Sequence, residues 1–248
     1  MRYRNDFIVH SYETNRFGYA SLSSIFNFLI EIAWEHAQKL EWGFDALKKD
    51  NYYWVLSRVY IQIDKYPKWQ DKITIETWTT GMEGIYALRE FAIADADNNI
   101  IVRASSAWLI LDMESKRIIR PDSLTPDFQK FAEDKKCHYP AKIKINSPNN
   151  NLIYAPVEFT DLDVNQHFNS VKYVERALNS FGIELFNQKE ISEIEVNYLK
   201  EGLPGDLLAV SKVSLSEKED VISLLREADG AVLCTMKVFW KPLGAKQI

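Results

Sequence analysis

Ser21 to Leu40 reads SLSSIFNFLIEIAWEHAQKL, and Leu22, Ile25, Phe26, Leu29, Ile32, Ala33 and His36 recur along it at intervals of three and four. That period belongs to an α-helix with one buried stripe, and Ser21 offers the side-chain oxygen of an N-cap. One long amphipathic helix is expected here. Downstream the period changes. Trp54 to Asp64, Lys72 to Gly81, Tyr86 to Asp95 and Ile100 to Asp112 are rich in Val, Ile, Thr, Tyr and Trp, and are broken by turn residues such as Asp97, Asn98 and Asn99. A strand-like opening, Phe7 to Glu13, precedes the helix. Strand, helix and four strands in that order predict a meandering antiparallel sheet packed on a single helix.

The chain then changes character. Pro121, Pro126, Pro140 and Pro148, mixed charge and the polar cluster NSPNNN mark a linker, placed at 131–150. Beyond it the order restarts: a strand-like piece (Ala155 to Thr160), a helix from about Ser170 to Asn187, and strands near Glu193 to Lys200, Asp206 to Ser216, Val221 to Asp229 and Gly230 to Lys241. IQIDKYPKWQDKITI (Ile61 to Ile75) lies over VNYLKEGLPGDLLAV (Val196 to Val210) without a gap, pairing Lys65 with Lys200 and Asp71 with Asp206. The identity is thin, but the shared order of elements makes duplication the better explanation. The expected class is α+β: a double hot-dog of two tandem units, each a long helix wrapped by an antiparallel sheet, over 1–130 and 151–248.

Composition narrows the function. Of 248 residues, 46% are hydrophobic, enough for one large core or two smaller ones. The formal charge of -5 is spread over interspersed acids and bases, with no basic run to track a phosphate backbone, so nucleic acid is not an expected partner. Cys137 and Cys234 lack the paired spacing of a zinc site, and His10, His36, His138 and His167 form no ligand cluster, so no metal or cofactor is expected. The start, MRYRNDFIVHSYE, carries charges where a signal peptide needs an apolar core, and no apolar run approaches a membrane span, so a cytoplasmic protein is expected.

The stretch DLDVNQHFNSVKYVERALNS (Asp161 to Ser180) gathers an acid, an amide and an imidazole, Asp163, Asn165 and His167, just before the second helix. In an extended backbone, residues two apart share a side, so the three would converge on one polar site. The same residue types also cap helices and form turns: Asn169 or Ser170 is a natural N-cap, and a lone histidine is more often structural. Glu201, in NYLKEGLPGD beside Gly202, Pro204 and Gly205, reads either as a surface turn acid or as a second functional carboxylate. The gapless overlay sets Tyr66 opposite Glu201, and the run-in to the first helix, SYETNRFGYASLS, has no Asp-x-Asn-x-His, so only the second half looks equipped. No Gly-x-Ser-x-Gly occurs and neither cysteine lies in these stretches; Cys234, alternating with apolar residues, reads as core. Direct attack by water, activated by His or a carboxylate, is the simpler scheme.

DLDVNQHFNSVKYVE resembles the signature of the plant and bacterial acyl-acyl carrier protein thioesterases, an Asp-Val-Asn-Gln-His core followed by Asn-Asn-Val-Lys-Tyr. SYE (Ser11 to Glu13), WEHAQKLEWGF and WVLSRVYIQIDKYPKWQDKITIETW (Trp54 to Trp78) are similar to that family's N-terminal hot-dog unit. The resemblance implies hydrolysis of a fatty acyl thioester on acyl carrier protein, with Asp163, Asn165, His167 and Glu201 as the catalytic set. Asn165 and the amides near Ser170 would meet the oxyanion, Glu201 and His167 would share activation of water, and Asp163 would orient Asn165 or a ring nitrogen. Gly202 stands where many plant members have a cysteine, and Ser170 replaces the second Asn. The first unit would hold the acyl chain, with the Ser21 to Leu40 helix and the strand around Trp78 as candidates for chain-length control. Lys172, Arg176 or Lys200 would receive the acidic carrier protein. Acyl-coenzyme A hydrolysis and a non-catalytic acyl-binding role are the alternatives, and monomer and homodimer are both compatible with a fused pair of units.

Overall fold

A computed structural model describes residues 2–124, 133, 135–144 and 152–244. The chain divides into two compact units, Met1–Tyr139 and Pro140–Ile248. The polar cluster NSPNNN read as linker, with its Pro148, lies outside the described residues, as does Pro126.

The first unit runs β1 (Arg2–Ile8), α1 (Leu22–Lys39), α2 (Phe44–Lys49), β2 (Tyr52–Ile63), β3 (Lys72–Glu83), β4 (Tyr86–Ala94), β5 (Ile100–Asp112), β6 (Ile118–Ile119) and α3 (Pro121–Leu124). Its strands pair antiparallel in the order β1-β3-β4-β5-β2, and the two residues of β6 add to β5. Helix α1 starts where Ser21 Oγ accepts the Ser24 N–H at 3.1 Å. It then presses its apolar stripe against β1 and β3, leaving Ile25 and Ile32 with 0% exposure. Lys136 and Cys137, read as linker, belong to this unit: both backbone N–H groups donate to the buried Glu90 carboxylate, at 2.9 and 3.2 Å.

The second unit repeats the plan with β7 (Ile153–Pro156), α4 (Ser170–Leu178), β8 (Lys189–Tyr198), β9 (Leu207–Ser216), β10 (Glu219–Arg226) and β11 (Val232–Pro242). Its order is β7-β9-β10-β11-β8, the same path as in the first unit. Each unit is thus a hot-dog. The two aspartates paired by the overlay do the same work: Asp71 Oδ2 accepts the Lys68 N–H at 2.7 Å and Asp206 Oδ2 the Leu203 N–H at 2.9 Å. Their carbonyls receive Val9 N–H at 3.0 Å and Val157 N–H at 2.8 Å.

Several elements differ from expectation for reasons the structure shows. The opening strands stop at Ile8 and Pro156, because Glu13 and Asp161 turn back to accept the N–H groups of His10 (2.7 Å) and Glu158 (3.1 Å), coiling Ser11–Glu13 and Phe159–Asp161 into 3-10 turns. The second helix ends at Leu178, nine residues early: Asn179 caps it, Ser180 Oγ bonds the Ala177 carbonyl at 2.6 Å, and Phe181 leaves the helix to pack edge-on against Trp240, 5.0 Å between centroids. Finally, the short helix α2 carries too few turns to show a period in the sequence.

Candidate active site

The residues from Asp163 to His167 form a closed turn. Asp163 N–H donates to the His167 carbonyl at 2.9 Å, Gln166 N–H to the Asp163 carbonyl at 3.0 Å, and Gln166 adopts φ +62°. The extended backbone assumed from the alternation is therefore absent. The cause is Asp163 itself, whose Oδ1 accepts the backbone N–H groups of Asn165 (2.8 Å) and His167 (3.1 Å). An aspartate that offers its own acceptor to the next amides replaces a strand with a turn. Asp163 thereby holds the backbone beneath Asn165 and His167, whereas the sequence reading had it orienting the amide or the ring.

His167 and Glu201 are brought together. His167 Nε2 lies 3.4 Å from Glu201 Oε2, with the two side chains 20% and 34% exposed, so both are reachable from solvent. The Asn165 side chain makes no hydrogen bond among the described residues. Asn169 is the N-cap of α4, its Oδ1 taking the Val171 N–H at 2.8 Å. The Asn169 carbonyl receives Lys172 N–H and Tyr173 N–H at 2.9 and 3.4 Å. Of the first four amides of the helix, only that of Ser170 has no acceptor among the described residues.

Glu201 sits in the loop between β8 and β9, whose backbone is gripped on several sides. Arg226 Nη2 donates to the Glu201 carbonyl at 2.8 Å while its Nε holds Asp206 Oδ2 at 2.9 Å. Phe168 N–H donates to the Gly202 carbonyl at 2.9 Å, so the residue after His167 is bonded to the residue after Glu201. Arg226 was missed by sequence reasoning. It lies at the end of β10, and only the fold brings it to this loop.

The first unit contains the same turn with different side chains. Laid over 159–170, residues 11–22 place Asn15 on Asp163, Phe17 on Asn165 and Tyr19 on His167. Asn15 Oδ1 accepts Phe17 N–H at 2.9 Å and Tyr19 N–H at 3.3 Å, Gly18 takes φ +73° where Gln166 takes +62°, and Ala20 N–H donates to the Pro67 carbonyl at 2.8 Å. Tyr66, opposite Glu201, is buried. Aromatic rings thus occupy the positions that carry an amide, an imidazole and a carboxylate in the second unit.

The first unit has a pocket of its own, partly open to solvent, with about 480 Å³ of space counting its mouth, lined by Trp34, Trp42, Trp54, Trp108, Leu88 and Arg89 among others. Arg89 Nη1 donates to His36 Nδ1 at 2.9 Å and to Thr77 Oγ1 at 3.0 Å. Burial, with the Arg89 cation alongside, holds the His36 imidazole down to about 3, so it is neutral; burial alone lowers Arg89 to about 10.

Two sequence patterns match the chain: that of the Acyl-ACP thioesterase N-terminal domain over residues 1–129, and that of the Acyl-ACP thioesterase C-terminal domain over residues 142–242. The chain belongs to the acyl-ACP thioesterase family. Among its relatives it is 27% identical to a palmitoyl-acyl carrier protein thioesterase of Gossypium hirsutum, over 98% of this chain and 65% of that protein. It is 28% identical to oleoyl-acyl carrier protein thioesterase 2 of Arabidopsis thaliana, over 92% of this chain and 67% of that one. The chain thus spans about two thirds of the length of these chloroplastic relatives. Among solved structures, an acyl-ACP thioesterase from Bacteroides thetaiotaomicron superposes with a TM-score of 0.88 at 28% identity, covering 97% of this chain and 98% of that one. The 12:0-ACP thioesterase from Umbellularia californica shares the fold, with a TM-score of 0.84 at 21% identity over 98% of this chain and 97% of that one.

Proposed function

We propose that the chain hydrolyses fatty acyl thioesters of acyl carrier protein, releasing free fatty acid and so ending fatty acid synthesis. The observation that carries the reading is the His167–Glu201 pair, 3.4 Å apart beside the start of α4, in the one unit of this acyl-ACP thioesterase family member that has a carboxylate and an imidazole at these positions. In the proposed step, Glu201 and His167 take the proton of a water as its oxygen attacks the thioester carbon. The oxyanion is met by the Asn165 amide and the Ser170 N–H, and its collapse expels the thiolate of the carrier's phosphopantetheine, which is reprotonated from the same pair. Asp163 keeps the turn closed so that Asn165 and His167 hold their places.

The apolar cavity of the first unit is the proposed seat of the fatty chain. Helix α1 contributes Ala33, Trp34 and Ala37 to it, and β3 contributes Thr79, next to Trp78. For the acidic carrier, the proposed contact narrows to Lys200, which is exposed and whose ammonium forms no hydrogen bond or close ion pair among the described residues, although its charge acts on Asp229. Arg176 is bound to Asp161 at 2.7 Å and Lys172 to Glu175 at 2.8 Å. A cytoplasmic setting is supported by the two free thiols, Cys137 and Cys234. Among the described residues no helix is long and apolar enough to cross a membrane.

The test is fatty acid release from a panel of acyl carrier protein thioesters of different chain lengths, with the coenzyme A thioesters alongside. The reading requires preference for the protein-bound thioester and its loss in Glu201→Ala and His167→Ala. Equal or better turnover of coenzyme A thioesters would move the substrate to that carrier, and no release from either would leave a binding protein.

A further inference from the structure

We infer that Tyr173 is a positioning residue that fixes Glu201 against His167 by holding the backbone on both sides of the carboxylate; this rests on the proposed roles of that pair. Tyr173 lies on α4 with its side chain turned inward, 3% exposed. Its Oη accepts the Gly202 N–H at 2.8 Å and donates to the Lys200 carbonyl at 3.3 Å. Lys200 and Gly202 are the two residues flanking Glu201, so one hydroxyl ties down both peptide groups that set where the carboxylate starts. Burial pushes the phenol well above its ordinary range, so the group keeps the proton it needs to donate.

Gly202 is part of the device. A Cβ there would fall 3.0 Å from Tyr173 Oη and 2.9 Å from Phe168 Cβ, so a side chain at 202 and the Tyr173 hydroxyl compete for the same space. The Phe168 ring packs edge-on against Tyr173, 4.4 Å between centroids, and its N–H holds the Gly202 carbonyl. The residues following His167 and Glu201 are therefore fixed to each other and to one buried phenol.

The duplicated unit supplies the internal control. Its turn keeps the corresponding backbone bond, from Ala20 N–H to the Pro67 carbonyl at 2.8 Å. Pro67, however, has no N–H to donate, and the position of Tyr173 is held by Ile25, fully buried and without a hydroxyl. The hot-dog thus closes this loop against this helix without a hydroxyl. The phenol is found in the half that carries Glu201, which assigns it to the placement of that group rather than to folding.

The experiment is Tyr173→Phe, assayed on the acyl carrier protein thioester that the parent turns over fastest, with Glu201→Gln in parallel. A loosened carboxylate should lower kcat by about 10- to 100-fold, the scale on which sub-ångström to ångström misplacement acts, with KM within about threefold. The thermal midpoint should stay within a few degrees. The His167 ring resonances should move in the direction they take in Glu201→Gln, a signature that loss of packing alone does not produce. Gly202→Ala, which drives the hydroxyl away, should reproduce the fall in kcat. The inference is overturned by a Tyr173→Phe enzyme with kcat within twofold of the parent, by unmoved His167 resonances, or by a variant that fails to fold, since the hydroxyl would then serve the fold. If Glu201→Gln itself turns over at the parental rate, the proposed chemistry is what fails; if it is inactive while Tyr173→Phe is normal, only this inference fails.

Discussion

Replacing Asp163 by Asn separates a structural carboxylate from a chemical one. Asp163 Oδ1 receives two backbone N–H groups, at 2.8 and 3.1 Å, and in the first unit the neutral Oδ1 of Asn15 receives the corresponding pair at 2.9 and 3.3 Å. An amide oxygen therefore closes this turn without help from charge. Hydrogen bonds to a charged acceptor contribute about 1.5 to 3 kcal/mol each and neutral ones about 0.5 to 1.5, a difference of about 2 to 3 for the pair; solvent screening of this part-exposed carboxylate reduces it, so Asp163→Asn should weaken the turn by about 1 to 2 kcal/mol in all. Asp163→Ala leaves both donors without an acceptor, costing about 1 to 3 kcal/mol for each. With every 1.4 kcal/mol worth a factor of ten, a loss near 3 kcal/mol shifts the ratio of closed to open turn about a hundredfold, and turnover falls by as much where the parental turn is only marginally closed. Measured as kcat for fatty acid release, Asp163→Asn is expected within about tenfold of the parent and Asp163→Ala about two orders of magnitude below it. Should Asp163→Asn be as inactive as Asp163→Ala, or more so, the negative charge of Asp163 takes part in the chemistry and the assignment to turn closure is wrong.

Three further outcomes follow from the same geometry. Because the buried His36 holds its proton only below about 3 when folded but near 6.5 when unfolded, the unfolded state is protonated first as pH falls. The stabilising contribution is complete above pH 6.5 and is lost from there down to about pH 3, at up to about 1.4 kcal/mol per pH unit. Chemical denaturation at a series of pH values should therefore show a shallower acid limb for His36→Gln than for the parent, and parallel limbs would refute this. Gly202→Cys is expected to lower activity and thermal midpoint together: its Cβ meets Phe168 Cβ at 2.9 Å, an overpacking of about 1 to 3 kcal/mol. An enzyme as fast and as stable as the parent would show that the loop yields freely. Arg226→Ala removes the donors to the Glu201 carbonyl and to Asp206, and should cut kcat by about tenfold with little change in KM, read from steady-state kinetics; a rise in KM alone would place Arg226 in binding instead.

How much of this was readable in advance divides along physical lines. Helix α1 was legible almost to the residue, Leu22–Lys39 against an expected Ser21 to Leu40, because a long apolar stripe and a serine cap act locally and agree. The strand from Ile100 to Asp112 was legible for the same kind of reason, with Asn98 in the left-handed region at its turn, φ +62°. The turns before both helices were misjudged, since Glu13, Asn15, Asp161 and Asp163 each bond amides two to four residues along the chain, and a competition between side chain and sheet is not visible in hydrophobic period. His167 and Glu201 could be named from the resemblance, yet their 3.4 Å approach depends on Phe168, Tyr173, Gly202 and Arg226, whose contacts span up to 34 positions (202 − 168) and leave no periodic trace.

The duplicated architecture also accounts for the proposed chemistry being confined to one half. Both units own the carboxylate-bonded 3-10 turn, the Asx-closed loop, the capped helix and the backbone bond from helix approach to strand loop, and all of these persist in the first unit with Phe17, Tyr19 and Tyr66 in place of polar groups. The loop framework is thus stable whichever side chains it displays. A polar set is costly to place, because a carboxylate and an imidazole that are partly buried must be held in register to compensate their desolvation. In the second unit that register comes from additions the first lacks: a hydroxyl at 173 where there is Ile25, and a glycine amide at 202 where there is Pro67. The difference between the two halves therefore resides in the side chains proposed to carry the chemistry together with the few that hold them still, on a loop and helix framework that each unit contains.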